Sequence, residues 1–218
     1  MTDLPDRLAT LSADLYSAVL SDCLDSMGLR NQVLSSRLRP IAPGMRLVGY
    51  AATIQVVDTY TIPDDPYRGM MQTIDTAREG SVIVIASGSD RCALWGELFT
   101  TAARARGVRG TLVDGYVRDT QRIVGQGYPV FAAGARPVDM QGRSLFYAAS
   151  EIVEISGVKI APGDLIFGDA DGVVVVPFAV EQEVLGRAME KVERENRAKT
   201  ALGNGSSMES VWDEHGVL

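Results

Sequence analysis

Three charged residues near the middle of the chain have the types and the spacing to act together on one small ligand. Glu97 opens a predicted helix, and the pair Arg118-Asp119 follows the next predicted strand, with twenty residues between Glu97 and Arg118. Asp119 can ligate a hard divalent cation and Glu97 can orient a water on it, because such cations prefer carboxylate oxygen and retain several waters. Arg118 carries a planar fork of N–H donors that matches a carboxylate with two parallel hydrogen bonds.

The start of the predicted helix adds a second anion-binding element. The N–H groups around Leu98 and Phe99, directly after Gly96, have no partner inside the helix and can hold an anion. A 2-oxo acid fits the whole set, because its carboxylate meets these amides and Arg118 while its carboxylate and keto oxygens chelate the metal. The metal then acts as a Lewis acid and stabilises the enolate that remains when a C–C bond breaks.

The rest of the composition excludes several other chemistries. The single histidine, His215, lies three residues from the end of the chain, which excludes zinc sites of the Cys/His type and argues against a Ser-His-Asp triad. The chain has neither a Gly-x-x-x-x-Gly-Lys-Ser/Thr loop nor a Gly-x-Gly-x-x-Gly turn, so nucleotide binding lacks support. A net charge of −7 argues against a protein that tracks nucleic-acid phosphates.

Length and composition predict a single domain over residues 1–218. The 46% hydrophobic and 22% charged residues have the balance of a globular protein. The longest apolar run, Val82–Ala86, is far shorter than the roughly 18 residues of a membrane span. The acidic N-terminus lacks the apolar segment of a secretory signal, and Cys23 and Cys92 give no disulfide framework. We therefore expect a cytoplasmic protein that binds neither nucleic acid nor membrane.

Hydrophobic periodicity predicts an α/β domain with one mixed core. Ser12 is the expected N-cap of a first helix that stops at Gly28, and a long strand at Arg46–Val57 and a loop at 58–69 follow. A charged helix from about residue 180 closes the domain, so 180–218 should form a C-terminal helix and tail. Shorter elements are predicted as a helix at 70–78 and strands at 81–86, 110–113, 129–132, 151–155, 165–167 and 173–176.

Two of these strands and the helix between them predict a βαβ unit that brings the charged residues together. The strand at 81–86 is continuously apolar, as expected of a strand buried on both faces. A helix from Gly96 to about Arg106 separates it from the strand at 110–113, which Asp114-Gly115 is expected to end. A helix of about eleven residues is roughly 16 Å long, and a strand of about six residues is roughly 20 Å long. The strand can therefore return the chain to the edge of the sheet from which the helix started. Both loops then lie at the carboxyl edge of the sheet, where ligands bind in α/β folds.

The residues around this charged set resemble a known enzyme family. The stretches Gly96-Glu97-Leu98, Ala105–Gly110 and Val113–Asp119 are similar to the class II 4-hydroxy-4-methyl-2-oxoglutarate aldolases. That family also contains the regulator of ribonuclease activity A (RraA-like) proteins and oxaloacetate decarboxylases. Further similar stretches, at 21–28, 162–164, 168–177 and 212–218, extend the resemblance over nearly the whole chain. The aldolases carry an acidic residue, twenty intervening positions and then Arg-Asp, and Glu97 stands here where the family usually has Asp.

The resemblance implies a fold, an assembly and a metal site. The implied fold is the swivelling β/β/α fold, assembled as a trimer or a dimer of trimers. A Mg²⁺ or Mn²⁺ ion would bind Asp119, and Glu97 would act on it through a water. A glutamate from a neighbouring subunit would complete the metal site, and Glu195 is the best match for it in this chain.

The resemblance also implies an activity. Pyruvate would be held by Arg118 and by the amides of Leu98 and Phe99, as product of a metal-dependent lyase that cleaves a 4-hydroxy-2-oxo dicarboxylic acid or decarboxylates oxaloacetate. The alternative is a non-catalytic member of the family that binds and inhibits a ribonuclease. The regulator branch lacks the complete acidic, Arg and Asp set, so its presence here favours the lyase.

Other conspicuous residues have simpler explanations. Asp114 is expected to form an Asx turn at a strand end, and Asp169 and Asp171 to shape the turn before the next strand. Cys92 lies near the predicted site without a histidine to activate it, so we expect a small buried side chain. The loop at 58–69 is expected to line the distal end of the substrate.

Overall fold

The fold is a mixed β-sheet with helices packed against it. The computed structural model describes residues 4–217 of the chain. The helices are α1 Leu4–Asp14, α2 Ser17–Ser26, α3 Arg68–Asp75, α4 Glu97–Ala105, α5 Thr120–Gly125, α6 Glu181–Gly203 and α7 Met208–His215. The strands are β1 Arg39–Pro40, β2 Leu47–Asp58, β3 Ser81–Ala86, β4 Ala93–Trp95, β5 Gly110–Val117, β6 Val130–Ala135, β7 Ser144–Ala149, β8 Val153–Ile155, β9 Val158–Ile160, β10 Leu165–Gly168 and β11 Val173–Val176.

The main sheet has a parallel centre and antiparallel margins. Its order is β1-β6-β5-β3-β2-β10-β11, and β2, β3, β5 and β6 run parallel to one another. The short strand β4 pairs in parallel with the carboxyl end of β5, and β7 pairs with the second half of β2. The hairpin β8–β9 forms a small separate sheet. The α/β class predicted from the sequence is confirmed.

Both faces of the central strands are buried, which explains the continuous apolar run of β3. Ile83 and Ile85 pack with side chains from α3, α4 and α5 on one face of the sheet. Val82 and Val84 point to the other face and pack against the β8–β9 hairpin. Helices α1, α2 and α6 pack together over the β10–β11 side in a third cluster. The period-2 alternation of the strand decides which side chain enters which cluster.

The predicted βαβ unit is present. Strand β3 pairs in parallel with β5, with Val82 opposite Gly110 and Ile85 opposite Val113. Helix α4 lies between them in sequence and begins directly after β4. The loop before α4 and the loop after β5 therefore meet at the carboxyl edge of the sheet.

The first helix does not begin where the sequence predicted. Ser12 lies inside α1 rather than at an N-cap, because Leu8 and Leu11 already bury a helical face upstream of it. The second helix starts at Ser17 after an extended Tyr16 that makes no side-chain cap. The predicted stop at Gly28 is confirmed, since this glycine has a φ of 82° immediately after the helix end.

The prediction for Asp114 was wrong. Asp114 and Gly115 do not end β5, which continues to Val117 and shifts its register against β6 between Val113 and Tyr116. The Asp114 side chain is buried and pairs with Arg37, so it takes part in an ion pair instead of an Asx turn. Asp114 therefore does not reach the site with the residues that follow it.

The expectations for Asp169 and Cys92 are confirmed. Asp169 accepts hydrogen bonds from the Ser17 amide and hydroxyl at 2.7 Å and from the Asp171 amide at 3.0 Å, so it shapes its turn. Cys92 is fully buried 3.2 Å from the Ser144 hydroxyl, and burial raises the pKa of its thiol.

The C-terminal region holds more structure than a helix and tail. Helix α6 matches the predicted charged helix, and the segment expected as a tail forms α7, whose Val211 packs with Ala198 of α6. Within residues 4–217, no helix combines the length and the apolar character that crossing a lipid bilayer would require.

Gly110 offers a test of this packing at the start of β5. A Cβ atom at Gly110 would lie 2.3 Å from Leu47 Cδ1 and 2.7 Å from the Pro129 carbonyl oxygen. We expect Gly110→Ala to lower the free energy of unfolding by about 1–3 kcal/mol, because the backbone oxygen cannot move aside cheaply. Urea unfolding followed by circular dichroism measures the change.

Gly186→Ala is the matched control for that substitution. Gly186 lies on an exposed part of α6, and a Cβ atom added there would have no described neighbour within 4 Å outside its own helix backbone. Alanine is favoured over glycine in helices, so a gain of about 0.5–1 kcal/mol is expected. Equal stability of the two variants would contradict the packing assigned to Gly110.

Candidate active site

Two hydrogen bonds, one between backbone groups and one to a side chain, join the two segments at the carboxyl edge. The Arg118 amide donates to the Trp95 carbonyl at 2.9 Å, and the Glu97 amide donates to Asp119 Oδ2 at 3.2 Å. These contacts place Glu97, Arg118 and Asp119 side by side although twenty residues separate the first two. The convergence predicted from the βαβ unit is therefore present, while the chemical roles of the three side chains stay predictions.

Gly96 makes the close approach of these loops possible. A Cβ atom at this position would lie 2.8 Å from Asp119 Oδ2 and 3.2 Å from Arg118 Cγ, so any larger residue would push both side chains away. Asp119 itself has a φ of 58°, a left-handed conformation that costs energy for a residue other than glycine. Backbone strain at this point identifies Asp119 as a residue held in place by its surroundings.

The carboxylate of Asp119 lies at the start of a helix other than its own. Asp119 precedes α5 but makes no side-chain cap to it, and its Oδ2 accepts instead from the first residue of α4. The next amides of α4, at Leu98 and Phe99, belong to the first helical turn and have no partner within the helix. The site therefore presents both a carboxylate and free helix N–H groups, as predicted.

Two residues that the sequence did not identify complete the surroundings of Arg118. Asp139 Oδ1 lies 2.9 Å from Arg118 Nη1, and Asp139 Oδ2 accepts hydrogen bonds from the Tyr67 hydroxyl and from the Gln141 amide. Asp139 follows β6, the parallel neighbour of β5. The rule that ligands bind at the carboxyl edge could have pointed to it, because a strand at 129–132 was predicted.

Tyr67 lies in the loop expected to line the distal end of the substrate, and it does face the cavity beside Arg118. Burial and the hydrogen bond to Asp139 raise the pKa of Tyr67 to about 12, so the phenol stays protonated and donates. Burial alone would raise the pKa of Asp139. The hydrogen bonds from Tyr67 and the Gln141 amide and the charge of Arg118 outweigh burial and hold this pKa below its ordinary value.

Two cavities flank Arg118 and Asp119. The larger, of about 690 Å³, has an apolar wall that includes Trp95, Phe99 and Met140. The smaller, of about 440 Å³, has a polar lining that includes Arg136. Arg118 and Asp119 line both cavities, so a small ligand held by this pair can extend to either side.

Carboxylates outnumber cationic side chains in the lining of the larger cavity, and Asp119 is the one that can accept a cation. Arg118 is the one positively charged side chain in its described lining, whereas four carboxylates line it: Asp75, Glu97, Asp119 and Asp139. Three of the four have an arginine partner: Asp139 pairs with Arg118, Asp75 pairs with Arg106, and Glu97 lies 3.7 Å from Arg122. Asp119 Oδ1 makes no hydrogen bond with the residues that the structure describes, and the side chain is 42% exposed. Such a carboxylate can accept a hard cation.

Within one chain the carboxylates do not form a complete metal cage. Among residues 4–217, no group of three or more His, Cys, Asp or Glu side chains is arranged to hold a metal ion. A donor set of one or two carboxylates fits Mg²⁺ or Mn²⁺, because Mg²⁺ keeps several of its waters when it binds. The residues present therefore fit the predicted ion, provided that water or a second chain supplies the other ligands.

The two remaining predicted ligands differ in their surroundings. Glu97 lies in the first turn of α4 with its Oε2 3.7 Å from Arg122 Nε. In this position its negative charge can stabilise the helix through the helix dipole, and its carboxylate can also orient a water. Glu195 lies on α6, where its Oε1 is 4.0 Å from Lys191 Nζ, and it does not line the cavity of its own chain. Its contribution from a neighbouring subunit stays a prediction.

Sequence comparisons identify the family. A family model described as RraA-like (Aldolase/RraA) matches residues 17–175. The chain is 36% identical over 215 residues to the protein DlpA of Legionella pneumophila. The alignment covers 97% of this chain and 34% of DlpA. It is 32% identical over 186 residues to a Halalkalibacterium halodurans protein provisionally named 4-hydroxy-4-methyl-2-oxoglutarate aldolase, covering 85% of this chain and 83% of that protein. The chain therefore belongs to the RraA-like family, and it spans about a third of the length of DlpA.

Solved structures share the fold. An uncharacterized protein from Pseudomonas syringae pv. tomato superposes with a TM-score of 0.84 at 32% identity, covering 97% of this chain and 94% of that one. RraAS2 of Streptomyces coelicolor is described as an unusual member of the RNase ES inhibitor RraA protein family. It superposes with a TM-score of 0.79 at 26% identity, covering 88% of this chain and 96% of that one. The predicted RraA-like β/β/α fold is confirmed.

The lowered pKa of Asp139 predicts a pH dependence of stability. Because the folded-state pKa lies below the ordinary value of about 3.9, the ionised carboxylate stabilises the fold above that pH, and this contribution is lost as the pH falls through the folded-state pKa. We expect Asp139→Asn to be less stable than the wild type by a constant amount between about pH 7 and about pH 5. The gap should close in more acidic solution, as measured by urea unfolding. A gap that widens on acidification would contradict the assignment.

Proposed function

We propose that this protein is a divalent-metal-dependent carbon–carbon lyase that releases pyruvate from a 4-hydroxy-2-oxo dicarboxylic acid of the 4-hydroxy-4-methyl-2-oxoglutarate type. Decarboxylation of oxaloacetate is proposed as a second activity. The observation that carries the proposal is the 3.2 Å hydrogen bond from the Glu97 amide to Asp119 Oδ2, which assembles Arg118, Asp119 and the start of α4 around one point. The name of the Halalkalibacterium halodurans relative supports the same substrate class.

Arg118 binds the substrate carboxylate in this proposal. The Arg118 side chain is 40% exposed and lines both cavities, and its guanidinium can form two parallel hydrogen bonds with a planar carboxylate. The free amides of Leu98 and Phe99 at the start of α4 lie next to it and add hydrogen bonds and the positive end of the helix dipole. Together they hold the end of the 2-oxo acid that becomes pyruvate.

Asp119 is proposed to hold Mg²⁺ or Mn²⁺, with Glu97 orienting a water of the ion and Glu195 of a neighbouring subunit as a further ligand. When bound, the ion supplies Lewis-acid stabilisation of negative charge on the keto oxygen. The Glu97 carboxylate would be the acceptor, through a water, of the C4 hydroxyl proton, which must leave as the C–C bond breaks.

The larger cavity has an apolar wall on one side of Arg118 and Asp119. Trp95 is 1% exposed and stacks obliquely on Phe99, with ring centroids 5.4 Å apart. A low-dielectric wall strengthens the electrostatic contacts that Arg118 and Asp119 make with the substrate. A lysine-based Schiff-base mechanism has no support, because Lys159, Lys191 and Lys199 do not line the cavity.

Binding to a ribonuclease is the alternative function. Its support is the description of RraAS2 as a member of an RNase inhibitor family. The complete set of Glu97, Arg118 and Asp119 favours the lyase. Pyruvate release from a panel of 4-hydroxy-2-oxo acids and oxaloacetate, measured in the presence of Mn²⁺, separates the two functions. A protein that releases no pyruvate from any of these acids would contradict the lyase proposal.

The substitution Arg118→Lys tests the carboxylate clamp. Lysine keeps the charge but loses the fork, so a charge-assisted hydrogen bond is lost and kcat/KM should fall about 10- to 100-fold. Mn²⁺ affinity should change little, because a guanidinium does not ligate a cation. Steady-state kinetics and Mn²⁺ titration by calorimetry measure the two effects.

Arg104→Lys is the matched control for this variant. Arg104 lies on the exposed last turn of α4, away from both cavities that Arg118 lines, and its replacement should leave kcat/KM unchanged. Loss of Mn²⁺ binding with intact substrate affinity in Arg118→Lys would show that the role assigned to Arg118 is wrong.

Chelation and the substitution Asp119→Asn test the metal dependence. EDTA should abolish pyruvate release, and added Mg²⁺ or Mn²⁺ should restore it. Asp119→Asn replaces an anionic ligand oxygen with a neutral one, so we expect severe loss of activity that high Mn²⁺ recovers in part. Oxalate, a planar mimic of the pyruvate enolate, should inhibit only when metal is present.

Asp25→Asn serves as the control, because it removes a carboxylate from the exposed surface of α2 and should retain full activity. Coupled assay of pyruvate at a series of Mn²⁺ concentrations distinguishes the variants. Full pyruvate release in excess EDTA, or by Asp119→Asn at trace metal, would exclude this mechanism.

A further inference from the structure

Asp139 is fixed from three directions at the wall of the larger cavity. Its Oδ1 pairs with Arg118 Nη1 at 2.9 Å, while its Oδ2 accepts from the Tyr67 hydroxyl and, at 3.0 Å, from the Gln141 amide. A carboxylate held by a backbone amide and a phenol cannot rotate without losing both bonds. Asp139 is therefore a rigid anchor for whatever its other oxygen contacts, which is the guanidinium of Arg118.

The contact with Asp139 decides which edge of the Arg118 guanidinium is available. A guanidinium can meet a carboxylate side-on, through Nε and Nη2, or end-on, through Nη1 and Nη2. Asp139 pairs with Nη1, so the side-on edge formed by Nε and Nη2 remains available to a substrate carboxylate. That edge faces Asp119, whose Oδ2 lies 3.9 Å from Arg118 Nε, and hence the start of α4.

We propose that Asp139 and Tyr67 are positioning residues that hold the Arg118 guanidinium with its side-on edge toward the substrate carboxylate. This inference rests on the proposed function, because it assigns the geometry of the same substrate clamp. The substrate carboxylate then meets the Nε–Nη2 edge of Arg118 on the cavity side, beside Asp119 and toward the amides of Leu98 and Phe99. Neither positioning residue has to touch the substrate for this effect.

The charge arrangement explains why Arg118 needs an anchor. Asp119 is the other carboxylate within reach of its guanidinium, at 3.9 Å from Nε. Without Asp139, the full attraction of Arg118 would fall on Asp119, and an ion pair between them would occupy both the clamp and the proposed metal ligand. Asp139 balances this attraction from the opposite side, so that Arg118 and Asp119 stay available to different parts of the substrate complex.

A second triad of the same chemistry lies outside the site and provides a comparison. Glu181 accepts hydrogen bonds from Arg7 at 2.7 Å and from the Tyr50 hydroxyl at 2.8 Å, and it is 4% exposed. None of these three residues lines either cavity beside Arg118. Tyr50→Phe therefore removes the same hydroxyl from the same kind of triad without touching the clamp.

The test compares the full-length variants Asp139→Asn, Tyr67→Phe and Tyr50→Phe. With Mn²⁺ present, Asp139→Asn should raise KM for the oxo acid and the Kd for oxalate about 10- to 100-fold, as is usual for residues that orient functional groups. Tyr67→Phe should raise both about two- to tenfold, the effect of one lost hydrogen bond. In both variants kcat should change less than KM, and Tyr50→Phe should match the wild type.

Calorimetry with oxalate and Mn²⁺ supplies a binding readout that does not depend on turnover. Asp139→Glu keeps the charge and should recover part of the oxalate affinity lost in Asp139→Asn, which a purely structural role would not predict. Wild-type oxalate affinity and KM in Asp139→Asn, or equal losses in Tyr67→Phe and Tyr50→Phe, would overturn the positioning role.

The same experiment separates this inference from the proposed function. If the wild type releases pyruvate while Asp139→Asn retains its KM, the positioning role fails and the lyase proposal stands. If the wild type neither releases pyruvate nor binds oxalate in the presence of Mn²⁺, the proposed function fails, and the inference fails with it because no carboxylate is there to be positioned.

Discussion

The hydrogen bond from the Glu97 amide to the Asp119 carboxylate joins two loops, and the remaining features of the site depend on it. It places a negative charge at the start of α4 and brings Arg118 beside Gly96, the residue that precedes this helix. It forms because β3 and β5 are parallel neighbours and because Gly96 has no side chain to keep the loops apart. Asp119 adopts a left-handed backbone to complete it.

Charge balance is the second constraint on this site. Of the carboxylates in the described lining, Asp75, Glu97 and Asp139 each have an arginine partner, so Asp119 is the carboxylate left to accept a cation while Arg118 offers a place for an anion. The two opposite preferences coexist because Asp139 neutralises part of Arg118 from one side and leaves Asp119 exposed on the other. A ligand that carries a carboxylate and coordinates a metal ion satisfies both preferences at once.

The sequence was sufficient where a local pattern reports directly on structure. The continuous apolar run of β3, the four valines of β11 and the helix α4 between Gly96 and Gly107 were all predicted within one or two residues. Parallel strands with a returning helix must open their loops at one edge, so the neighbourhood of Glu97 and Arg118 also followed from the sequence. Family resemblance extended this to the RraA-like fold, which the comparisons confirm.

Contacts between distant segments were decided by the tertiary structure alone. Asp114 was expected in a turn but is buried in β5. Its buried carboxylate is stabilised there by the opposite charge of Arg37, which lies 77 residues earlier in the chain. Asp139 pairs with Arg118 and Tyr67 donates to Asp139, both from other loops, and no spacing in the sequence encodes these contacts. Local sequence patterns determine the helices and strands and the edge of the sheet at which the strands end. Which side chains pair across that edge depends on how the loops pack, and that is a property of the folded chain.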